Sequence, residues 1–129
     1  MTPRALRLSD AHTSDEAAGV LAKATLSAAR RLGLTNRELA AVLGTSEASI
    51  SRLSGSRLLR VGSAEASLAL LFLRLFRSLD AISGGNEATS RAWFTADNHH
   101  VGGVPAARIH SVEGLVSVVQ YLDAVRGTL

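Results

Sequence analysis

Apolar side chains recur along this chain at helical spacing, and glycine or a capping residue marks each break between the runs. The most informative run, Leu34 to Arg57, reads LTNRELAAVLGTSEASISRLSGSR. Thr35 stands three residues before Glu38, the reciprocal pairing that closes a helix N-terminus. Leu39, Ala40 and Leu43 then share one face of a short helix, and Gly44 suits its end. A second helix is expected from Thr45 or Ser46, turning Ile50 and Leu53 inward. A small residue at the crossing, glycine in the turn and two apolar anchors give the spacing of a helix-turn-helix. The outward residues of the second helix, Ser46, Glu47, Ala48, Ser49, Ser51 and Arg52, are small, polar or basic, as a groove-reading helix requires.

The flanking pattern is helical as well. Residues 1–13 show no sustained period and contain Pro3, which predicts a flexible arm. Ser14 is the expected cap of a helix with Asp15 and Glu16 in its first turn. Val20, Leu21, Ala24, Ala28 and Leu32 form its apolar stripe, and Gly33 ends it. Leu58 to Gly62 reads as a turn or an extended linker. Ser63 caps the longest helix, to about Ile82, with Leu68, Leu71, Phe72, Leu75, Leu79 and Ile82 on one stripe. Leu70, Leu73 and Phe76 mark a second stripe, and a helix apolar on two sides is buried on two sides. That second stripe is the expected homodimer interface.

Gly84-Gly85 breaks the chain, and Asn86 caps a helix through about Asp97 with Ala88, Ala92 and Trp93 facing inward. Asn98 to Arg108 is a glycine-rich loop with Pro105 opening a short turn. Ser111 caps the last helix, whose apolar face is Leu115, Val118, Val119, Leu122 and Val125. The fold class expected is all-α: an arm (1–13), a helix-turn-helix domain (14–62), and a long central helix opening a small helical domain (63–129).

Composition narrows the function. The 129 residues are 47% apolar and only 19% charged, so some apolar surface is expected to meet a partner. With no cysteine, zinc-thiolate sites, disulfides and thiol chemistry are excluded. Phe72, Phe76, Phe94, Trp93 and Tyr121 are too few for base-stacking recognition of single strands. The most apolar run, Ala66 to Leu73, is far shorter than the roughly 20 residues of a membrane span. No signal peptide is read, and a cytoplasmic protein is expected.

The net charge is +3, and residues 30–60 alone carry +4. The basic excess thus coincides with the helix-turn-helix, where phosphate contacts need it. Double-stranded DNA is the expected ligand, with Thr35, Asn36, Arg37, Ser46, Glu47, Ser49, Arg52 and Arg57 as candidate contacts.

Catalytic signals are absent. His99 and His100 are adjacent, so in a regular element their side chains diverge, and His110 has no carboxylate at ligand spacing. Gly102-Gly103 lacks the Lys-Ser/Thr and the preceding strand of a phosphate loop. Neither metal, cofactor nor enzymatic activity is expected.

Residues 91–127, RAWFTADNHHVGGVPAARIHSVEGLVSVVQYLDAVRG, resemble the toxin-binding domain of the MbcA/ParS/Xre antitoxin family. The resemblance rests on Ala92-Trp93-Phe94, Asn98, Gly103, Pro105, Ser111-Val112-Glu113-Gly114, Val118, Leu122 and Gly127. The preceding helix-turn-helix is similar to the Xre-type domain found with it. Phe94 to Asp97 departs from the family pattern, which has a leucine and often a proline near the asparagine. The resemblance implies an antitoxin of a RES-domain toxin that consumes NAD or uses it for ADP-ribosylation. It implies a dimer that represses its own operon through the helix-turn-helix and holds the toxin through its C-terminal domain. Carried onto this sequence, the toxin-binding candidates are Arg126, Gly127, Thr128 and Leu129 near the toxin's NAD pocket, with Trp93, Asn98 and Gly103 shaping the docking surface. The competing expectation is a stand-alone dimeric regulator whose C-terminal half senses a ligand or dimerises.

Overall fold

The computed structural model describes the backbone of residues 3–128 and the side chains of residues 14–128. Among these residues it is all-helical: α1 Pro3–Leu32, α2 Asn36–Leu43, α3 Glu47–Leu53, α4 Ala64–Ile82, α5 Glu87–Thr95, α6 Pro105–Arg108 and α7 Val112–Arg126. A 3-10 turn, His99–Val101, lies between α5 and α6.

Five helix starts follow from one local rule. Thr35, Ser46, Ser63, Asn86 and Ser111 each accept, through a side-chain oxygen, an otherwise unpaired backbone N–H three residues on. At α2 the box is complete, because Glu38 also accepts from the Thr35 backbone. Gly44 ends α2 at φ 67°, and the chain turns directly into α3.

The expected arm and the Ser14 cap are corrected. Helix α1 begins at Pro3 and runs unbroken through Ser14. Proline suits a first helical turn, and Arg4 to Leu8 are good helix formers with no glycine among them. The buried face of α1 also differs from the expected stripe. Ala18, Leu21, Ala22, Thr25, Ala28, Ala29 and Leu32 point inward, while Val20 is 68% exposed. Thr25 is tolerated there because its hydroxyl donates to the Leu21 carbonyl at 2.7 Å.

Helix α4 is the spine. It packs on α1 and α2, and also on α7, with Ala66, Ala69, Phe72, Leu75 and Leu79 fully covered. Its buried Ser78 donates to Asp123 of α7 at 2.9 Å. Helix α5 docks through Phe94 and through Ser90, whose hydroxyl pairs with Ser83 at 2.6 Å. Ala88 and Ala92, expected inside, are exposed, because the phenyl ring and the hydroxyl pair turn the helix about 100° per residue away from them. Trp93 is half-buried. Arg91 ties α5 to the end of α1, donating to the carbonyls of Arg31 at 2.8 Å and Arg30 at 2.9 Å. A cation on the carbonyls of the last turn is the favourable arrangement for a helix C-terminus.

Helices α6 and α7 meet closely at Gly114. A Cβ on Gly114 would lie 1.8 Å from the Arg108 carbonyl oxygen. Glycine to alanine inside a helix ordinarily stabilises by up to about 1 kcal/mol. Here Gly114→Ala is expected to destabilise by about 1–3 kcal/mol, since backbone must move to admit the methyl group. Urea denaturation checks the sign, and a stabilised variant would contradict the packing described.

Candidate functional site

Two exposed regions carry the candidate residues. On the first, α2 and α3 cross through Leu39, Ala40, Leu43, Ile50 and Leu53, all buried, which fixes the outward face of α3. Glu47, Ala48, Ser51 and Arg52 are exposed there, and Ser49 is half-exposed. Ser46 is committed as the α3 cap; its hydroxyl also donates to Ser49 at 3.0 Å. Arg52 donates to the Ser49 hydroxyl at 3.1 Å, which holds its guanidinium along the helix surface. Asn36 and Arg37 are exposed at the start of α2, while Thr35 is committed to its capping box.

The charge of this region is smaller than the sequence tally implies. Arg57 donates to both carboxylate oxygens of Glu65, at 2.5 and 2.6 Å, and is half-buried. Its position after α3 aims it at the first turn of α4, so its guanidinium is engaged within the fold. Arg60 pairs with Asp15 at 2.6 Å, and Arg31 reaches Asp80 at 3.4 Å. All three acids lie outside residues 30–60, so a charge count over that window misses them. Arg30, Arg37 and Arg52 keep guanidiniums outside the ion pairs described. Lys23, exposed beside Arg30, is likewise outside them.

The second region lies on the C-terminal half. The loop after α5 closes on itself: Asn98 and Gly103 exchange backbone hydrogen bonds at 3.0 and 3.1 Å. The Asn98 side chain accepts from the His100 N–H, and Arg108 donates to the Val101 carbonyl at 2.9 Å while lying along Gly102 and Gly103. Asn98 and Gly103 therefore shape the loop, and the loop presents the rings around it. Trp93 stacks on Tyr121, with centroids 6.3 Å apart and planes 9° apart. Tyr121 stacks on His100 at 5.4 Å and 14°, and His100 meets His99 at 4.1 Å. The two histidines do not diverge as expected, because a 3-10 turn rather than a regular helix holds them. His99, His100 and Tyr121 are absent from the sequence-based set, since the rings come from separate elements with no shared local period.

The remaining candidates lie apart from the rings. Arg126 follows Leu115, Val119 and Leu122 around α7, and lines a groove with Leu70, Leu73, Arg74 and Arg77 of α4. Tyr121 precedes it by five residues, about 140° around the helix, so it faces elsewhere. Gly127 and Thr128 are exposed, Thr128 donating to the Val125 carbonyl at 2.7 Å. Leu129 lies outside the described residues. Leu70 is 54% exposed, and Leu73 and Phe76 are half-buried. Among the described residues, no cluster of His, Asp or Glu could hold a metal ion, and no helix is long and apolar enough to cross a membrane.

Two family models match. Residues 78–127 match the antitoxin Xre/MbcA/ParS C-terminal toxin-binding domain, and residues 11–74 match the antitoxin Xre-like helix-turn-helix domain. No curated protein matches the sequence.

Arg52 and Arg57 separate binding from folding. Arg52→Ala is expected to weaken duplex binding with little change in melting temperature, by about 1–3 kcal/mol if the guanidinium meets a base edge. Arg57→Ala is expected to lower stability by roughly 1–2 kcal/mol through loss of its charged hydrogen bonds. Mobility-shift titration and thermal melting on both variants check the assignment; exchanged phenotypes would reverse it.

Proposed function

The chain belongs to the Xre/MbcA/ParS antitoxin family, and we propose that it neutralises a RES-domain toxin by direct binding and represses its own operon. The observation that carries this reading is the succession on one chain of an Xre-like helix-turn-helix and a toxin-binding domain. The toxin proposed consumes NAD or uses it for ADP-ribosylation. The antitoxin acts by occupying a surface, without catalysis or cofactor of its own.

The toxin-binding domain supports this as a rigid presenting surface. Trp93, Tyr121, His100 and His99 form a run of rings at its edge, held by the closed Asn98–Gly103 loop. Stacked rings offer contact area at low entropic cost, as the anchors of protein interfaces do. Arg126, at the end of α7, and residues 127–129 after it are the part proposed to approach the toxin's NAD pocket. A guanidinium there can pair with acidic or polar acceptor groups of a nucleotide pocket.

Operator binding falls to α3. It is seven residues long, and Arg52 is its only cation. One copy offers few phosphate contacts, so we assign repression to a homodimer reading two half-sites one helical turn apart.

A truncation separates the two activities. A chain ending at Val125, expressed with the toxin of the adjacent reading frame, is expected to fail in neutralisation while retaining promoter affinity in a mobility-shift assay. Growth rescue by the truncated chain equal to that of the full chain would remove the C-terminal end from the toxin contact.

A further inference from the structure

One sector of α4 stays open where α1 and α7 diverge. A hollow of about 280 Å³ there is lined by Leu70, Leu73, Arg74, Arg77 and Arg126. A second, of about 210 Å³, shares Leu73 and Arg77 and reaches Phe76 against α1. Together they make one groove along α4, with a floor of Leu70, Leu73 and Phe76 rising roughly 9 Å along the helix. Arg74, Arg77 and Arg126 line the first hollow, Arg77 also lines the second, and the Arg31 guanidinium stands 4.8 Å above the Phe76 ring.

The acids nearby are already engaged. Asp123 accepts from Ser78 and pairs with Arg74, and Asp80 pairs with Arg31. Arg77 and Arg126 have no ion pair among the described residues. A second copy is therefore a poor occupant, because a two-fold contact would set these arginines against their own counterparts with no acid left to meet them. Duplex DNA is also a poor occupant. Its backbone would answer the arginines but leave the half-exposed Leu70 without an apolar partner.

We infer that this groove takes a segment of the toxin in which carboxylate side chains flank apolar ones. The inference rests on the antitoxin reading above and extends it. The groove crosses the seam between the two matched regions, since Leu70, Leu73 and Arg74 lie within residues 11–74 and Arg126 within residues 78–127. The apolar floor supplies affinity, and the guanidinium rim supplies charge complementarity and a salt-dependent association rate. It also reassigns the second stripe of α4, expected to pair with another copy, to the toxin.

The test uses the full chain and the purified toxin encoded by the adjacent reading frame, with the dissociation constant measured at low and at high salt. Arg77→Glu is expected to weaken binding by about tenfold or more at low salt, with the deficit shrinking as salt screens it, and Arg77→Lys to restore most of the loss. Leu70→Glu is expected to weaken binding at both salt levels. Both positions are exposed, and thermal melts confirm that the variants fold. Wild-type toxin affinity in Arg77→Glu and Leu70→Glu would overturn the groove assignment while leaving the antitoxin reading intact. No binding by the wild-type chain would overturn both. A shift from dimer to monomer by light scattering in Leu70→Glu would give the groove to a second copy. Loss of promoter affinity alone in Arg77→Glu would give it to DNA. Either result overturns the inference.

Discussion

The structure depends on covering one helix. Along α4, apolar side chains point in nearly every direction, so one layer of neighbours cannot remove them all from water. Helices α1 and α2 cover one part of it and α7 another, and this shared burial makes the two matched regions one packed body. Ser78 is the polar exception, and the structure answers it with Asp123 rather than leaving it unpaired. What remains partly open is the sector of Leu70, Leu73 and Phe76, with Leu70 exposed and the other two half-buried. The same demand that holds the fold together thus leaves an apolar strip at the junction of α1, α4 and α7, and arginines decide what can fill it.

Arginines also divide the labour of the surface. Arg31, Arg57 and Arg60 meet carboxylates from elsewhere in the chain and knit the helices together. Arg91 does the same through backbone carbonyls. Among the described residues, those left without acid partners include two groups, Arg30, Arg37 and Arg52 near the helix-turn-helix and Arg77 and Arg126 at the groove, while Arg108 donates to the Val101 carbonyl. Under the proposed reading the first group serves DNA and the second serves the toxin. Neither group is dense, which fits a protein that gains affinity from paired copies on DNA and from apolar contact on the toxin.

Local physics was legible in the sequence. Thr35, Ser63, Asn86 and Ser111 each act within three residues of themselves and cap where the spacing places them, and Ser46 is the cap where Thr45 or Ser46 is expected, whereas Ser14 lies inside α1. Features that depend on distant partners were not. Arg57 reads as a free cation until Glu65 is beside it, and Ala88 and Ala92 read as core until Phe94 and the Ser83–Ser90 hydroxyl pair set the rotation of α5. The rings of Trp93, Tyr121 and His100 are drawn from two helices and a turn, so no local period announces them. Pro3 was read as the mark of an arm, although proline equally opens a helix.

The central claim is that this chain silences a toxin acting on NAD. Both hydrolysis of NAD and ADP-ribosyl transfer release nicotinamide, so one assay covers either chemistry. Nicotinamide release by the purified toxin of the adjacent reading frame should fall to background as this chain is added to stoichiometric amounts. Undiminished release in the presence of excess chain would contradict the account.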